Sequence, residues 1–460
     1  MSGKQIWERS ATFKEKLRMN RIYYPWIDKT NSLSDLRFKE ELRKVKGEEW
    51  FMREFPPRFH QLRGEIPVMV NQQGNLVTIP HTQDPITFGI VGKRGSGKTI
   101  MLNALCGRMY WYWKNGGFPN LQCGIMNDVN NETGAWSMPS TFHPELLGAL
   151  NETPTPLPIV KVYPMTNTLR VLEASSKIPS IKIGIPFKEF VSHPEDFIKL
   201  DKSQSHFRQV AEDLSNCQSM DECYGVIHGS EMPKNSQNKI ISLMYELWDE
   251  KIFDLDTEAI AQVDIHNGYT NESEVLNPFL ALMVSNLIPT IQSRDIQGKY
   301  YSEKYFDYIV KDMFKYQYTS SGKPKQELVL FVDELNQISK KKNTNSTLQS
   351  LISETRTLRL GLVWCGQNPT KIADKILSNT KYMLCLQNSR KEIDHVANVF
   401  DMSEQQKNQV STFSPLDGLL LTTGVFHIYD QLDNVWYESK EPQVGKILTP
   451  LSNSKPPMVK

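Results

Sequence analysis

The chain has 460 residues, 53 Lys and Arg against 52 Asp and Glu, and is 39% hydrophobic and 10% aromatic. At roughly 150 residues per domain this length predicts two to four domains, and the aromatic content excludes a chain too polar to bury a core. A formal charge of +1 excludes a uniformly basic coat, so any nucleic-acid contact must use local patches.

No apolar run approaches the roughly 18 to 20 residues that span a bilayer. Leu328–Val332 and Pro278–Val284 are core-sized runs, and the opening MSGKQIWERSATFKEK lacks the apolar stretch of a secretory signal. These features predict a soluble, intracellular protein without a membrane segment. The six cysteines form no C-x-x-C and have no histidine pair at zinc spacing, which predicts buried free thiols.

Residues 1–65 carry 15 Lys and Arg against 10 Asp and Glu, with helical charge pairs and breaks at Tyr24-Pro25-Trp26 and Phe55-Pro56-Pro57. They predict a charged helical N-terminal arm. From Glu65 the pattern changes: EIPVMVNQQGNLVTIP reads as a hairpin turning around Gln73-Gly74. Ile86–Val91 is a short buried-strand pattern that enters a glycine loop, and Thr99–Tyr112 follows as helix, stopped by Gly116-Gly117. Gln122–Asn127 and Ile159–Tyr163 are further strand candidates, so residues 66–185 read as the first part of an α/β domain.

Helical patterns then dominate residues 186–320, at Pro194–Cys217, Asn238–Phe253, Asn277–Ile288 and Glu303–Lys315, predicting a helical insertion. After a turn signal at Ser320-Ser321-Gly322, strand patterns resume with LVLFVDE, GLVWCGQ and KYMLCLQ, giving a second α/β part over 321–440. The last residues, 441–460, are rich in Pro, Ser and Lys and predict a loose tail.

Three motifs carry chemistry. Gly92-Lys93-Arg94-Gly95-Ser96-Gly97-Lys98-Thr99 matches G-x-x-x-x-G-K-[ST] between a strand and a helix. Its backbone N–H groups and the helix N-terminus suit phosphates; Lys98 would reach the β- and γ-phosphates of ATP, and the Thr99 hydroxyl would ligate Mg²⁺. Next, Leu328–Val332 is a buried-strand run ending in Asp333-Glu334. Open parallel sheets place ligands at that end, so Asp333 would hold the metal through water and Glu334 would polarise the attacking water. Finally, Leu362–Gly366 ends in Gln367, one strand pattern beyond Asp333, where an amide could sense the γ-phosphate. Arg356, just upstream of that strand, could stabilise transition-state charge in a neighbouring subunit's site.

The ordered set of the P-loop, Val332-Asp333-Glu334, the Arg356 segment and GLVWCGQNPTKIADKILSNTKYMLCLQNSRKEID at 361–394 resembles the HerA/FtsK superfamily of ring-forming DNA-pumping ATPases. Arg356, Gln367, Pro369, Asn379 and Tyr382–Leu386 follow in that family's order, and Gly418–Gly424 resembles its late glycine-flanked strand. The resemblance implies an α/β fold: a RecA-like P-loop NTPase core, mostly parallel sheet between helices, with a large helical insertion; the helical N-terminal arm is read from its own pattern. It further implies Arg356 as a finger acting in trans, Gln367 as sensor, and Asp128 as the acid after the second core strand. A homo-oligomer, in that family a hexamer, would take DNA through its channel, with a nuclease or a viral portal or capsid component as partner.

The N-terminal residues match neither the small β-barrel of cellular HerA proteins nor the membrane segments of FtsK and conjugative coupling proteins. Viral genome packaging and mobile-element DNA transfer therefore stand beside HerA-type processing. A nucleotide-dependent assembly switch without translocation is a third reading, and the presence of Glu334 and Gln367 weighs against it. Lys340, Lys341 and Lys342 follow the Asp333-Glu334 strand in a polar loop and are the candidate DNA contacts.

Overall fold

The structure is a computed structural model. It describes residues 65–80, 85–114, 121–127, 133–140, 152–164, 180–183, 185–192, 194, 205–249, 253–254, 279–282, 327–338, 359–430, 435–448 and 450–452. The chain divides into two compact units: residues 1–124, 132–157 and 325–460 form one, and 125–131 with 158–324 the other. The N-terminal arm lies outside the described residues.

Sixteen strands are described: β1 (Glu65–Asn71), β2 (Leu76–Pro80), β3 (Thr87–Val91), β4 (Leu121–Asn127), β5 (Ile159–Pro164), β6 (Ser180–Ile183), β7 (Ile185–Pro186), β8 (Phe253–Asp254), β9 (Phe279–Leu282), β10 (Glu327–Val332), β11 (Leu360–Gly366), β12 (Tyr382–Leu386), β13 (Asp417–Thr422), β14 (Phe426–Asp430), β15 (Val435–Ser439) and β16 (Gln443–Ile447). In the first unit the order is β15-β14-β2-β1-β16-β13-β12-β3-β11-β10. β10, β11, β3 and β12 run parallel, with Val332 opposite Trp364, Gly366 opposite Val91, and Cys385 opposite Val91. From β12 onward every pairing is antiparallel, through β13, β16, β1, β2, β14 and β15.

Parallel strands need crossovers that cover the sheet faces, so they are buried on both sides. β3, β11 and β12 are buried at every position, as their unbroken apolar runs require. The helix Lys98–Lys114 leaves the end of β3, and every residue from Met101 to Tyr110 is buried. A helix covered on all sides has no polar face, so its interior polar groups must be paired internally. Arg108 donates to both carboxylate oxygens of Glu152, at 2.9 and 2.7 Å, and Asn103 exchanges hydrogen bonds with Ser452.

The expected hairpin forms as β1 and β2, while the expected tail does not hold throughout. Residues 443–447 are strand β16, placed between β1 and β13, and Leu451 and Ser452 are fully buried. Alternation of buried and half-buried residues along Gln443–Ile447 is what a strand with one covered face shows.

In the second unit β9, β5 and β6 pair in parallel, as do β7 and β8. Helices occupy Phe187–Ser192, Ser205–Leu214, Met220–Gly229 and Lys234–Asp249. The Asn277–Ile288 pattern predicts a helix, but Phe279–Leu282 is strand β9 beside β5. A short apolar run fits either period, and pairing decides it. Glu303–Lys315 lies outside the described residues. No helix among the described residues is long and apolar enough to cross a membrane.

Candidate nucleotide site

The four parallel strands of the first unit each end at the same edge, and the chain beyond each end supplies the site. β3 runs into Gly92, β10 into Asp333, β11 into Gln367 and β12 into Gln387-Asn388. β11 lies between β3 and β10, so Gln367 emerges between the glycine loop and the two acids.

Neighbouring strand ends hold the loop. The Gly92 N–H donates to the Gly366 carbonyl at 3.3 Å, and the Lys93 N–H to Gln387 at 2.7 Å. The Leu416 N–H donates to the Ser96 carbonyl at 3.2 Å. Gly97 has φ of +107°, which a side chain rarely adopts, and a Cβ there would stand 2.7 Å from Leu416. Lys98 is buried and donates to the Lys93 carbonyl at 3.2 Å, with Glu334 4.0 Å away.

Across the site, the Thr99 hydroxyl donates to Asp333 Oδ2 at 3.3 Å, and Cys365 Sγ lies 2.7 Å from Asp333 Oδ1. Gln367 Nε2 donates to Glu334 Oε1 at 2.6 Å, and Asn388 in turn donates to the Gln367 carbonyl at 3.1 Å. Glu334 has φ of +50°, a left-handed conformation that costs a non-glycine residue about 1 to 3 kcal/mol. Burial raises the Glu334 pKa from the usual glutamate value; the Gln367 hydrogen bond and the Lys98 charge pull it back, and Asp333 adds an upward push.

The donor set suits Mg²⁺ with a nucleoside triphosphate. A threonine hydroxyl beside a carboxylate offers hard oxygen ligands, the first N–H groups of a helix point at the loop, and the buried Ser96 Oγ has no hydrogen-bond partner among the described residues. Thus Gly92–Thr99, Asp333, Glu334 and Gln367 meet at one edge. Arg356, Asp128 and Lys340–Lys342 lie outside the described residues. Cys365, Asn388 and Leu416 escape sequence reading, because their partners are set by strand register and loop packing rather than by spacing in the chain.

A strand, a glycine loop, a following helix and a threonine-paired aspartate at the end of a second strand together form a P-loop arrangement, a candidate nucleotide site. No family model matches the chain, and no curated protein matches it. Among solved structures it is similar to VirB4 of Thermoanaerobacter pseudethanolicus, with 12% identity and a TM-score of 0.48 over 84% of this chain and 96% of that one. It is also similar to the plasmid coupling protein TrwB in complex with ADP and Mg²⁺, at 12% identity and a TM-score of 0.46, covering 81% and 89%. The genome packaging NTPase B204 of Sulfolobus turreted icosahedral virus 2, in complex with ATP-gammaS, shares 9% identity at a TM-score of 0.35, covering 79% and 98%.

Proposed function

We propose that this chain is a ring-forming ATPase of HerA/FtsK type that couples Mg-ATP hydrolysis to movement of double-stranded DNA, in transfer, packaging or processing. One observation carries the ATPase reading. Lys98, Thr99, Asp333, Glu334 and Gln367, drawn from widely separated parts of the chain, converge on the same strand ends with direct contacts between them.

In this reading Gly92–Ser96 and Lys98 would bind the phosphates, and Thr99 with Asp333 would hold Mg²⁺. When bound, Mg²⁺ neutralises the phosphate charge that develops during transfer. Glu334, kept ionised by the Gln367 hydrogen bond and the nearby Lys98, accepts a proton from the attacking water. Arg356 would enter from a neighbouring subunit of a ring, a hexamer by the family pattern, and complete charge stabilisation. Lys340–Lys342 would face DNA phosphates in the channel.

The DNA part of the reading rests on motif order: P-loop, Asp333-Glu334, Arg356, Gln367, Asn379 and the strand that follows. Its test is displacement of a third strand from linear duplex DNA. ATP should drive displacement and a non-hydrolysable analogue should not. Vigorous hydrolysis indifferent to DNA, with no displacement, would favour the assembly switch instead.

A further inference from the structure

The end of β11 carries a side chain that the ATPase chemistry above leaves without a task. Val332 pairs with Trp364 in the parallel β10–β11 ladder, so Asp333 and Cys365 stand side by side just past the last pair. Successive side chains of a strand point to opposite faces. Trp364 packs over Gly89 and donates its indole N–H to the Thr380 hydroxyl at 3.1 Å. Cys365 therefore faces the other way, and its Sγ comes within 2.7 Å of Asp333 Oδ1. The second oxygen of the same carboxylate, Oδ2, accepts from Thr99 at 3.3 Å.

We propose that Cys365 is a positioning residue for Asp333: its thiol holds one carboxylate oxygen so that the other is presented to Thr99 and to the Mg²⁺ the pair would hold. The proposal rests on the ATPase reading. A carboxylate turns about its last side-chain bond unless both oxygens are engaged, and groups behind a metal's ligands fix that orientation. Cys365 is fully buried. A thiol beside a carboxylate oxygen serves as the donor of the pair, a weak donor made useful by a charged acceptor. Serine could take over the bond; alanine could not.

The test compares the full-length wild type with Cys365→Ser and Cys365→Ala. Binding of a fluorescent ADP analogue is followed while Mg²⁺ is titrated, and again in excess EDTA, with a thermal unfolding midpoint for each protein. The alanine variant should need roughly 10-fold more Mg²⁺ for half-maximal binding, with its affinity in EDTA unchanged, and serine should restore most of the loss. Several outcomes would overturn the proposal: an alanine variant with the wild-type Mg²⁺ midpoint, a serine variant as impaired as alanine, or equal weakening in EDTA with a lowered unfolding midpoint. If wild-type binding ignores Mg²⁺ altogether, the assignment of Thr99 and Asp333 to the metal fails first and takes this one with it.

Discussion

The sheet of the first unit has two halves that meet at β12, one parallel and one antiparallel. On the parallel side, β3, β11 and β12 are covered along their whole length. Beyond β12, β1, β2 and β13 are covered nearly as completely, while β16 and β14 keep half-buried positions. Strands covered on both faces have no side chain to spare for chemistry except at their ends. Because all four run the same way, those ends line up, and Gly92, Asp333, Gln367 and Asn388 become neighbours. Antiparallel strands turn their C-terminal ends alternately to opposite edges, so no such row forms. That half contributes closure, between the β1–β2 hairpin and β16, and one brace, Leu416, against the glycine loop.

The difference predicts that strand-end changes in the parallel half alter turnover with little change in stability. Glu334→Gln should lower the rate of ATP hydrolysis by on the order of 10² to 10⁴, the contribution of a positioned general base. Nucleotide binding and the urea midpoint should stay near wild type, measured by fluorescent-nucleotide titration and circular dichroism. Turnover that survives the change would move the base to another residue.

A change inside the antiparallel half should do the reverse. Gly445 sits in β16 between Asn71 of β1 and Gly418 of β13. A Cβ there would stand 2.0 Å from the Val70 carbonyl oxygen and 2.7 Å from the Asn71 Cα, backbone atoms that cannot step aside as a side chain tip would. Gly445→Ala should therefore cost about 1 to 3 kcal/mol of stability, read as a lower urea midpoint. Hydrolysis per folded molecule should be unchanged. A variant with normal stability and lost turnover would erase the division between the halves.

Local signals are legible in the sequence. β3, the loop and the helix after it are contiguous, and each carries its own pattern. An apolar run ending in Asp333-Glu334, and another ending in Gln367, mark strand ends without knowledge of their neighbours. Register is not legible: nothing in the chain says that Val332 faces Trp364, so the contact between Cys365 and Asp333 stays hidden. The same reason hides β16 and β9. Gln443–Ile447 is too short to declare itself among Pro, Ser and Lys, and it is buried by β1 and β13, with β1 coming from the opposite end of the described chain. Phe279–Leu282 has an apolar run without period, and only its pairing with β5 makes it a strand.

The smallest expected effect tests how the parallel half divides its labour. The sequence points to Gln367 as a sensor of the γ-phosphate, yet its amide donates to Glu334 at 2.6 Å. A hydrogen bond to a charged group contributes about 1.5 kcal/mol, so Gln367→Ala should slow hydrolysis roughly 10-fold. The size alone does not identify the role, but a double-mutant cycle does. If Gln367 works by holding the Glu334 carboxylate, its removal should add little once Glu334→Gln has taken that carboxylate away. If it acts on the nucleotide independently, the two losses should multiply. Steady-state rates of the two single variants and the double variant decide between them, and multiplying losses would return Gln367 to the sensor role that its place at the end of β11 first suggested.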